Sequence, residues 1–420
     1  MAAQGGKGII HIIGAGLAGL SCAVALLRGD TRVVVHEAAR FAGGRCRSYF
    51  DPALGMTIDN GNHLVLSGNH AALDYVEAIG AAGKLVGPEE AIFSFADLKT
   101  GERWALRPNK GSTPWWIFSK ARRVPGTRAR DYLTCARLLR ARPQDTVGAL
   151  VSDCSVLYDR LWRPILLAAL NTDPCEASGQ LAGAVVRETF ARGGRACRPL
   201  FAIDGLAATF VVPALALLQR RGASVHFDHR LRTLIFDGGR VASLEFAESD
   251  RIALALADRI VLAVPAPVAC TLVPDLEAPT EFRAIVNAHF KIKPPPGFPR
   301  VLGVINGVTE WLFAFEERLS VTISDADRLL ETPREELAHA IWGEVASLTG
   351  HPNTPPAWQI VKERRATFAA LPTEESKRPG ARVALSNLVL AGDWTATGLP
   401  ATIEGAIRSG NRAAEFMLAG

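Results

Sequence analysis

Residues 9–20 read IIHIIGAGLAGL, in which five residues of buried-strand composition are followed at once by glycines in G-x-G-x-x-G spacing. In such a turn Gly14 permits the tight bend and Gly16 lets a pyrophosphate approach the backbone. Gly19 lets the next helix pack closely on the strand. The stretch therefore predicts a strand, a phosphate-binding turn and a helix in succession.

The residues after this turn complete the pattern of a dinucleotide site. A second apolar strand is predicted at 32–36 and ends at Glu37, the usual distance of about 20 residues beyond the turn for a carboxylate that bonds a ribose hydroxyl. An acid at this position favours FAD or NAD over NADP. A secretory signal peptide or a transmembrane helix of similar hydropathy lacks this order of elements.

Composition narrows the classes of protein to which the chain can belong. At 420 residues it exceeds what one core usually serves, and 48% hydrophobic with 21% charged residues indicates a well-folded chain of two domains. The net charge of +5 is mild and spread along the chain, so no nucleic-acid partner is expected. Seven widely spaced cysteines without C-x-x-C favour reduced thiols in the cytoplasm, and no metal site is expected.

Two glycine-containing stretches follow the ribose acid. GGR at 43–45 predicts a loop that returns over the phosphates, with Arg45 as their counter-ion. IDNGNH at 58–63 groups polar side chains around Gly61. From composition alone, a functional site and an Asx-rich turn are equally compatible with this second stretch.

Residues 388–410 repeat the same physics near the end of the chain, with a buried strand, a Gly-Asp pair and a helix that opens at about Thr402. Asp393 can accept from a ribityl hydroxyl, and the helix N-terminus offers N–H groups to an anionic flavin edge. Only a flavin needs such a third, distant segment, so FAD is favoured over NAD. The predicted cofactor contacts are Gly14, Gly16, Leu17, Ala18, Gly19, Glu37, Ala38, Gly43, Gly44, Arg45, Gly61, Asn62, Leu231, Gly392, Asp393, Trp394, Thr402, Ile403 and Glu404.

The stretch PWWIFSKARR at 114–123 predicts a peripheral membrane contact. Trp115 and Trp116 beside Arg122 and Arg123 are typical of an interfacial anchor, because the rings lie at headgroup level and the cations meet anionic lipid. A core aromatic pair with a solvated basic flank is the alternative. Beyond the N-terminal strand and helix, no apolar stretch is long enough to span a bilayer.

Together these motifs resemble the flavin amine oxidase and carotenoid desaturase superfamily, whose FAD domain is assembled from three separated segments. Within it, the chain is similar over nearly its whole length to the hydroxysqualene dehydroxylases of hopanoid synthesis. The stretches that carry this likeness are GGRCRSY (43–49), IDNGNH (58–63), PWW (114–116), LNTDP (170–174) and GDWT (392–395).

The resemblance implies an α/β fold with a Rossmann-like FAD-binding domain and a mixed sheet-and-helix substrate domain that carries a mostly helical excursion. The FAD-binding segments are predicted at 1–66, 196–266 and 385–420. The excursion, which would face substrate and membrane, is predicted at 67–195. The remaining sheet and helix of the substrate domain are predicted at 267–384.

Within the substrate domain the sequence makes local predictions. Strands are expected at 301–305, 311–315 and 319–323 from their apolar composition. A helix should follow with Thr332 as its N-cap, because proline and an acidic residue stand at favourable positions after it. Residues 371–382, rich in charge and proline, are predicted to be a linker.

The resemblance also implies a reaction, in which hydroxysqualene loses its allylic hydroxyl and gains a hydride from reduced FAD to give squalene. An external electron donor for the flavin, other squalene-pathway enzymes as partners, and a location on the cytoplasmic face of the membrane go with it. Asp59 and His63 are the candidates for proton delivery to the leaving hydroxyl. The alternatives are that Asp59 braces the loop and that His63 bonds flavin or backbone.

Two other functions stay open at this point. A carotenoid-type desaturase would run the flavin in the oxidative direction on an isoprenoid substrate. A non-catalytic isoprenoid carrier or assembly partner would retain FAD without using it. An amine oxidase is disfavoured, because only four tyrosines are available for an aromatic cage and none is near Trp394.

Overall fold

A computed structural model describes residues 8–27, 29, 31–151, 155–247 and 250–419 of the protein. Within them the strands are β1 (Ile9–Ile13), β2 (Arg32–His36), β3 (Ser48–Asp51), β4 (Met56–Asp59), β5 (Val65–Leu66), β6 (Leu85–Val86), β7 (Phe93–Asp97), β8 (Arg103–Leu106), β9 (Pro199–Ala202), β10 (Ser224–His226), β11 (Leu231–Asp237), β12 (Arg240–Phe246), β13 (Arg251–Ala253), β14 (Arg259–Leu262), β15 (Phe282–Phe290), β16 (Val301–Ile305), β17 (Trp311–Ala314), β18 (Leu319–Ile323), β19 (Trp358–Phe368) and β20 (Leu388–Leu390). The α-helices are α1 (Leu17–Leu26), α2 (His70–Ala78), α3 (Cys135–Leu138), α4 (Val147–Leu150), α5 (Arg163–Leu170), α6 (Gly179–Glu188), α7 (Val212–Arg220), α8 (Ala266–Leu272), α9 (Arg334–Thr349), α10 (Pro372–Ser376) and α11 (Ile403–Ala419).

A five-stranded parallel sheet carries the glycine turn. Its strand order is β10-β2-β1-β14-β20, so that β1 lies at its centre. Four of the five residues of β1 are buried, as expected for a parallel sheet covered on both faces. The strands come from residues 9–36, 224–262 and 388–390. A Rossmann-like sheet built from three separate parts of the chain is therefore confirmed.

Helices α1 and α11 pack against each other beside this sheet, and glycines make the contact close. A Cβ added to Gly410 of α11 would lie 2.1 Å from Ser21 Oγ and 2.2 Å from the Ala18 carbonyl oxygen of α1. A Cβ at Gly19 would lie 1.9 Å from the Gly14 carbonyl oxygen. The role predicted for Gly19 in close packing is thus observed, and Gly410 has the same role in the last helix.

A seven-stranded mixed sheet has the order β19-β15-β18-β17-β16-β7-β8. Its neighbours are antiparallel except for the parallel pair β16 and β7. Helix α9 covers it, and Trp342 of α9 is fully buried against Phe290. The strands predicted at 301–305 and 319–323 have these bounds in the structure, and the one predicted at 311–315 ends a residue earlier.

Two local predictions in this region are wrong. Thr332 does not cap α9, because the extended residue before the helix is Pro333, whose side chain has no acceptor. Residues 371–382 are not a linker, since they include α10 and the buried Arg378. Arg378 donates to two carbonyl oxygens of the 393–395 loop. The charges of this segment therefore hold the last part of the chain in place.

The LNTDP stretch fastens the helical excursion to the seven-stranded sheet. Asn171 ends α5 with φ +48. Its Nδ2 donates to Thr367 Oγ1 at 2.9 Å, and its Oδ1 accepts from the Asp325 N–H at 2.7 Å. Thr172 Oγ1 accepts from the Ala370 N–H at 2.9 Å.

No helix in the described ranges is both long and apolar enough to cross a membrane.

Candidate active site

The glycine turn presents an open surface to a ligand. Gly14 has φ +105, a conformation that favours glycine, and its N–H donates to the His36 carbonyl oxygen at 2.7 Å. Gly16 is the N-cap of α1 and supplies no side-chain acceptor, and a Cβ there would meet no atom within 4 Å. This space and the first N–H groups of α1, at Leu17 and Ala18, suit an anionic pyrophosphate.

Glu37, at the end of β2, is tied to the backbone of the turn. Its Oε2 accepts from the Ala15 N–H at 2.7 Å and its Oε1 from the Ala39 N–H at 2.9 Å. A carboxylate has about four acceptor positions, so both oxygens keep capacity for a ribose hydroxyl. Ala38, between these contacts, is exposed. The acid thus lies beside the turn, and its contact with ribose stays a prediction.

The glycines at 43 and 44 bring a second loop against the turn. The Gly43 N–H donates to the Ala15 carbonyl oxygen at 2.8 Å, and Gly43 forms an isolated parallel bridge with Gly16. Gly43 and Gly44 have φ values of +111 and +56, which favour glycine. A Cβ at Gly44 would lie 3.5 Å from Gly16 Cα. The two loops therefore lie side by side over the predicted phosphate site.

Arg45 and Asp393 join the first and last segments of the FAD domain. Arg45 Nη2 lies 2.7 Å from Asp393 Oδ1, and its Nη1 donates to the Ala366 carbonyl oxygen at 2.6 Å. The charge of the buried Asp393 raises the pKa of Arg45 above its ordinary value. The sequence predicted separate roles for this pair, at the phosphates and at the ribityl chain. Those roles stay predictions, and the structure adds the direct link.

Two predicted cofactor residues have buried side chains. Trp394 donates its indole N–H to the Val264 carbonyl oxygen at 2.9 Å, and its ring packs beneath Gly392. Leu231 is the first residue of β11 and pairs with Phe246 of β12. Both side chains therefore pack in the interior of the protein.

The start of α11 lies at the predicted flavin end of the site. Thr402 Oγ1 accepts from the Gly405 N–H at 3.0 Å, and Ile403 is the first helical residue. The buried Glu404 carboxylate accepts from the N–H groups of Ala71 and Ala72 at 3.1 and 2.8 Å. The Glu404 side chain thus caps α2, a structural role that the sequence did not suggest.

Asp59 is buried at the end of β4 and its carboxylate is engaged on both oxygens. Oδ1 accepts from Ser48 Oγ at 2.6 Å and from the Leu206 N–H at 2.8 Å, and Oδ2 lies 3.8 Å from Arg318 Nη2. Arg318 is buried too, and its Nη1 donates to the Thr57 carbonyl oxygen at 3.2 Å. These contacts fit a carboxylate that holds the loop in place, which is the bracing role offered as the alternative for Asp59.

His63 is the second candidate for proton delivery, and its surroundings perturb its imidazole. Its side chain is accessible, yet the protein around it desolvates the imidazole and thereby lowers its pKa. The charge of Asp59 opposes this shift and the charge of Arg45 adds to it. Asp59 and Arg45 are therefore the charged groups that act on this imidazole.

The loop that carries these residues docks on the seven-stranded sheet through Asn287 of β15 and Thr322 of β18. Asn62 Nδ2 donates to Thr322 Oγ1 at 3.1 Å, and Thr322 Oγ1 donates to Asn287 Oδ1 at 2.8 Å. A Cβ at Gly61 would lie 3.2 Å from Asn287 Nδ2. Asn287 was not among the predicted site residues, although an amide within an otherwise apolar segment is a signal that the sequence contains.

The predicted membrane stretch contains one buried and one exposed tryptophan. Trp116 is 8% exposed and packs edge-on against Tyr132 with ring centroids 4.9 Å apart, so the prediction that it enters lipid is wrong. Trp115 is 67% exposed and Phe118, which the sequence analysis did not select, is 66% exposed. The two predicted basic residues are half-buried: Arg122 and Arg123.

Comparison with known proteins identifies the family. The family model described as flavin containing amine oxidoreductase matches residues 17–418. The chain belongs to this family. A hydroxysqualene dehydroxylase of Rhodopseudomonas palustris is 55% identical over 98% of both chains. A second, from Sinorhizobium fredii, is 54% identical over 97% of this chain and 98% of its own, and a third, from Zymomonas mobilis, is 47% identical over 98% and 99%.

Solved structures of two amine oxidases share the fold. A double mutant of putrescine oxidase superposes with a TM-score of 0.73 at 16% identity and covers 98% of this chain and 99% of its own. The cyclohexylamine oxidase of Brevibacterium oxydans has a TM-score of 0.70 at 16% identity and covers 99% of both chains. At such identities the likeness concerns the fold alone.

The residues of this flavin amine oxidoreductase fit FAD. The turn leaves open space at Gly16, which a pyrophosphate needs for close approach. Asn62 Oδ1 is buried without a hydrogen-bond partner among the described residues, so it offers an acceptor to a bound group. FAD is therefore the cofactor, as the sequence predicted.

Proposed function

We propose that the protein reduces hydroxysqualene to squalene with electrons from reduced FAD. The observation that carries this proposal is the identity of 55%, 54% and 47% to three hydroxysqualene dehydroxylases, each spanning 97% or more of this chain. Substrate and cofactor motifs, the excursion and both sheets all fall inside these matches.

In the balanced reaction the allylic alcohol takes up one proton and one hydride. The products are squalene and water. Reduced FAD supplies the hydride when it is bound, and an external donor must then reduce the flavin again. The chain's own tasks are to protonate the leaving hydroxyl, to exclude water from the allylic cation and to hold the carbon in place.

His63 is the residue that we assign to the proton. Its side chain is accessible, and its lowered pKa makes its imidazolium a stronger acid than free imidazolium. Asp59 acts by positioning, because its oxygens are occupied by Ser48, Leu206 and Arg318. It fixes the loop on which His63 stands and raises the pKa of that imidazole by its charge.

The decisive experiment uses purified holoenzyme whose flavin is chemically reduced in D2O, because the N5 hydrogen of reduced flavin exchanges with solvent, and hydroxysqualene under anaerobic conditions. Mass spectrometry should find deuterium in squalene at the former carbinol carbon. Squalene without label would contradict hydride transfer from the flavin. Recovery of unchanged hydroxysqualene would contradict the function.

Weaker similarity points to an oxidative alternative. A protein named probable zeta-carotene desaturase, from Synechococcus elongatus, is 23% identical over 97% of this chain. A desaturase would instead take hydrogen from a more saturated precursor of a polyene, and without oxygen its oxidised flavin would be reduced and lose its yellow colour. A protein that only carries isoprenoid would do neither reaction, so the same anaerobic assay separates all three functions.

Peripheral contact with the cytoplasmic face of the membrane belongs to the proposal, because so insoluble a substrate must enter from lipid. Trp115 and Phe118 are the exposed aromatic side chains of the predicted anchor, and their ring centroids lie 6.3 Å apart. Arg122 and Arg123 follow in the chain. Aromatic rings with nearby cations match the chemistry of the headgroup region. Other squalene-pathway enzymes on the same membrane would be its neighbours.

A further inference from the structure

A second basic feature lies next to this anchor in the chain. A surface cavity of about 370 Å³ is lined by Ala136, Arg137, Arg140, Arg142, Asp145 and Leu150. The lining combines three guanidinium groups with two apolar side chains and one carboxylate. Neither the FAD site nor the proposed proton donor involves any of these residues.

The three arginines of this cavity are available to an anion. Arg137, Arg140 and Arg142 are exposed, and none forms an ion pair with a carboxylate within the described ranges. The one acid in the lining, Asp145, accepts from the Arg142 backbone N–H at 2.7 Å and so closes the turn between α3 and α4. Guanidinium groups match phosphate geometry because their N–H donors form a planar fork.

The segment that surrounds the cavity is strongly basic. Residues 103–142 contain eleven Lys and Arg and a single acid, Asp131. Such a cluster attracts an anionic surface, and a lipid leaflet that contains acidic phospholipids is one. The acid that is present is used locally, because Asp131 Oδ2 accepts from the Arg128 N–H at 2.7 Å.

Exposed apolar side chains stand beside the cavity. Leu133 is 67% exposed and belongs to the 3-10 turn at 129–134, which runs directly into the helix α3 that lines the cavity. Trp116, next to the exposed Trp115, packs on Tyr132 of the same turn. Cationic cavity and apolar anchors are therefore parts of one packed unit.

We propose that the arginine cavity binds the phosphate of an anionic phospholipid headgroup and thereby fixes the excursion on the membrane. The proposal rests on the proposed function for its reason, since an enzyme of a lipid-soluble substrate must sit on lipid. It goes further by naming the lipid class and the residues that select it. The apolar anchors enter any bilayer, whereas Arg137, Arg140 and Arg142 distinguish an anionic bilayer from a neutral one.

The test measures co-sedimentation of holoenzyme with vesicles of phosphatidylcholine alone and of phosphatidylcholine mixed with phosphatidylglycerol. The wild-type protein should prefer the anionic vesicles. The variant Arg137→Gln/Arg140→Gln/Arg142→Gln should lose about a hundredfold in partitioning to them, because a basic residue at an anionic leaflet contributes about a factor of five. Its partitioning to neutral vesicles should not change.

A matched control removes the same charge elsewhere. Arg220, Arg221 and Lys291 are exposed and form no ion pair within the described part of the chain, so their triple Gln variant should bind like wild type. The Lys variant of the cavity arginines keeps the charge but lacks the planar fork of N–H donors, so it should restore only part of the binding. The proposal would be overturned if the control variant lost as much vesicle binding as the cavity variant. It would also be overturned if the cavity variant bound vesicles like wild type, which is expected if the cavity binds an acidic protein instead.

Activity separates this proposal from the proposed function. The cavity variant should reduce detergent-dispersed hydroxysqualene at the wild-type rate, since the cavity lies outside the FAD site. If wild type converts no hydroxysqualene and yet shows the lipid preference, the proposed function fails while the arginine cavity stands. If wild type is active and the vesicle preference is absent, the cavity proposal alone fails.

Discussion

The protonation state of His63 should determine how kcat/KM depends on pH. Desolvation lowers its pKa from the ordinary 6.5, so at neutral pH the acid form is a minority. If His63 delivers the proton, kcat/KM should rise as the pH falls from about 8 to about 6. His63→Gln should lower kcat/KM and remove this slope, which a purely structural role would not do. A variant that keeps the wild-type pH profile would exclude His63 as the proton donor.

Asp59 should behave differently from its neighbour. Asp59→Asn leaves the buried Arg318 without a counter-charge, so about 3 to 5 kcal/mol of stability should be lost. Because Asp59 raises the pKa of His63, the pH profile should also move to lower pH without losing its slope. Urea denaturation and pH-dependent kinetics on the same preparation measure both effects. Loss of the slope at unchanged stability would instead assign the proton to Asp59.

Trp115 and Trp116 are adjacent in sequence and opposite in exposure. Trp116→Ala should lower the free energy of unfolding by about 3 to 5 kcal/mol, because it empties a core position against Tyr132. Trp115→Ala should leave stability unchanged and weaken vesicle partitioning. Denaturation and co-sedimentation of the two variants test this directly. If Trp115→Ala lowered stability and Trp116→Ala weakened vesicle partitioning, Trp116 and not Trp115 would be the exposed ring in solution.

At the scale of elements, strands β1, β2 and β10 place a chain of imidazoles beneath the ribose acid. His11 Nδ1 lies 3.0 Å from His36 Nε2, and His36 Nδ1 lies 2.9 Å from His229 Nδ1. His229 Nε2 lies 2.9 Å from the Asp250 carboxylate, and the His226 ring is stacked on His36. With the rings neutral, each N–H has an acceptor. An added proton would reach the buried His11 Nε2, which has no partner among the described residues.

This imidazole chain should make the FAD domain sensitive to acid. Desolvation, with His11, His229 and His226 adding to it, lowers the pKa of His36 to about 3. The unfolded chain then binds the proton first, so the stability present above pH 6.5 should fall by about 1.4 kcal/mol per pH unit as the pH drops toward 3. Urea titrations at several pH values should show a shallower fall for His36→Gln. The exposed His339→Gln is the control and should keep the wild-type slope.

At the scale of the whole molecule, the parts of the fold that the sequence predicted are those that depend on local pattern. The glycine turn, the strand that ends at Glu37 and the last strand before Gly392 are continuous in the chain. Contacts between distant residues could not be found in that way. The pair Arg45 and Asp393, the cap that Glu404 provides for α2, and the docking of Asn62 on two strands each depend on which surfaces meet.

Exposure was the other property that local pattern did not determine. PWW has the composition of an anchor, yet one of its rings is needed in the core of the excursion. Charge and proline at 371–382 suggested a linker. Sequence alone does not show that Arg378 is buried and donates hydrogen bonds to two backbone carbonyl oxygens. In both cases tertiary packing decided between two uses of the same residues.

The sheet of the FAD domain is built from three distant segments, so FAD binding should stabilise the whole molecule. Variants at two glycines of one turn test FAD binding and folding separately. A methyl group at Gly16 meets no protein atom, but it occupies the approach of the pyrophosphate. Gly16→Ala should therefore fold with the stability of the FAD-free wild type. In free FAD at about 100 times the wild-type Kd, wild type should gain about 2.7 kcal/mol and Gly16→Ala much less. Gly19→Ala should instead destabilise even the FAD-free protein, because its Cβ would lie 1.9 Å from the Gly14 carbonyl oxygen. Thermal denaturation with and without FAD measures both, and equal FAD stabilisation of Gly16→Ala and wild type would show that the pyrophosphate lies elsewhere.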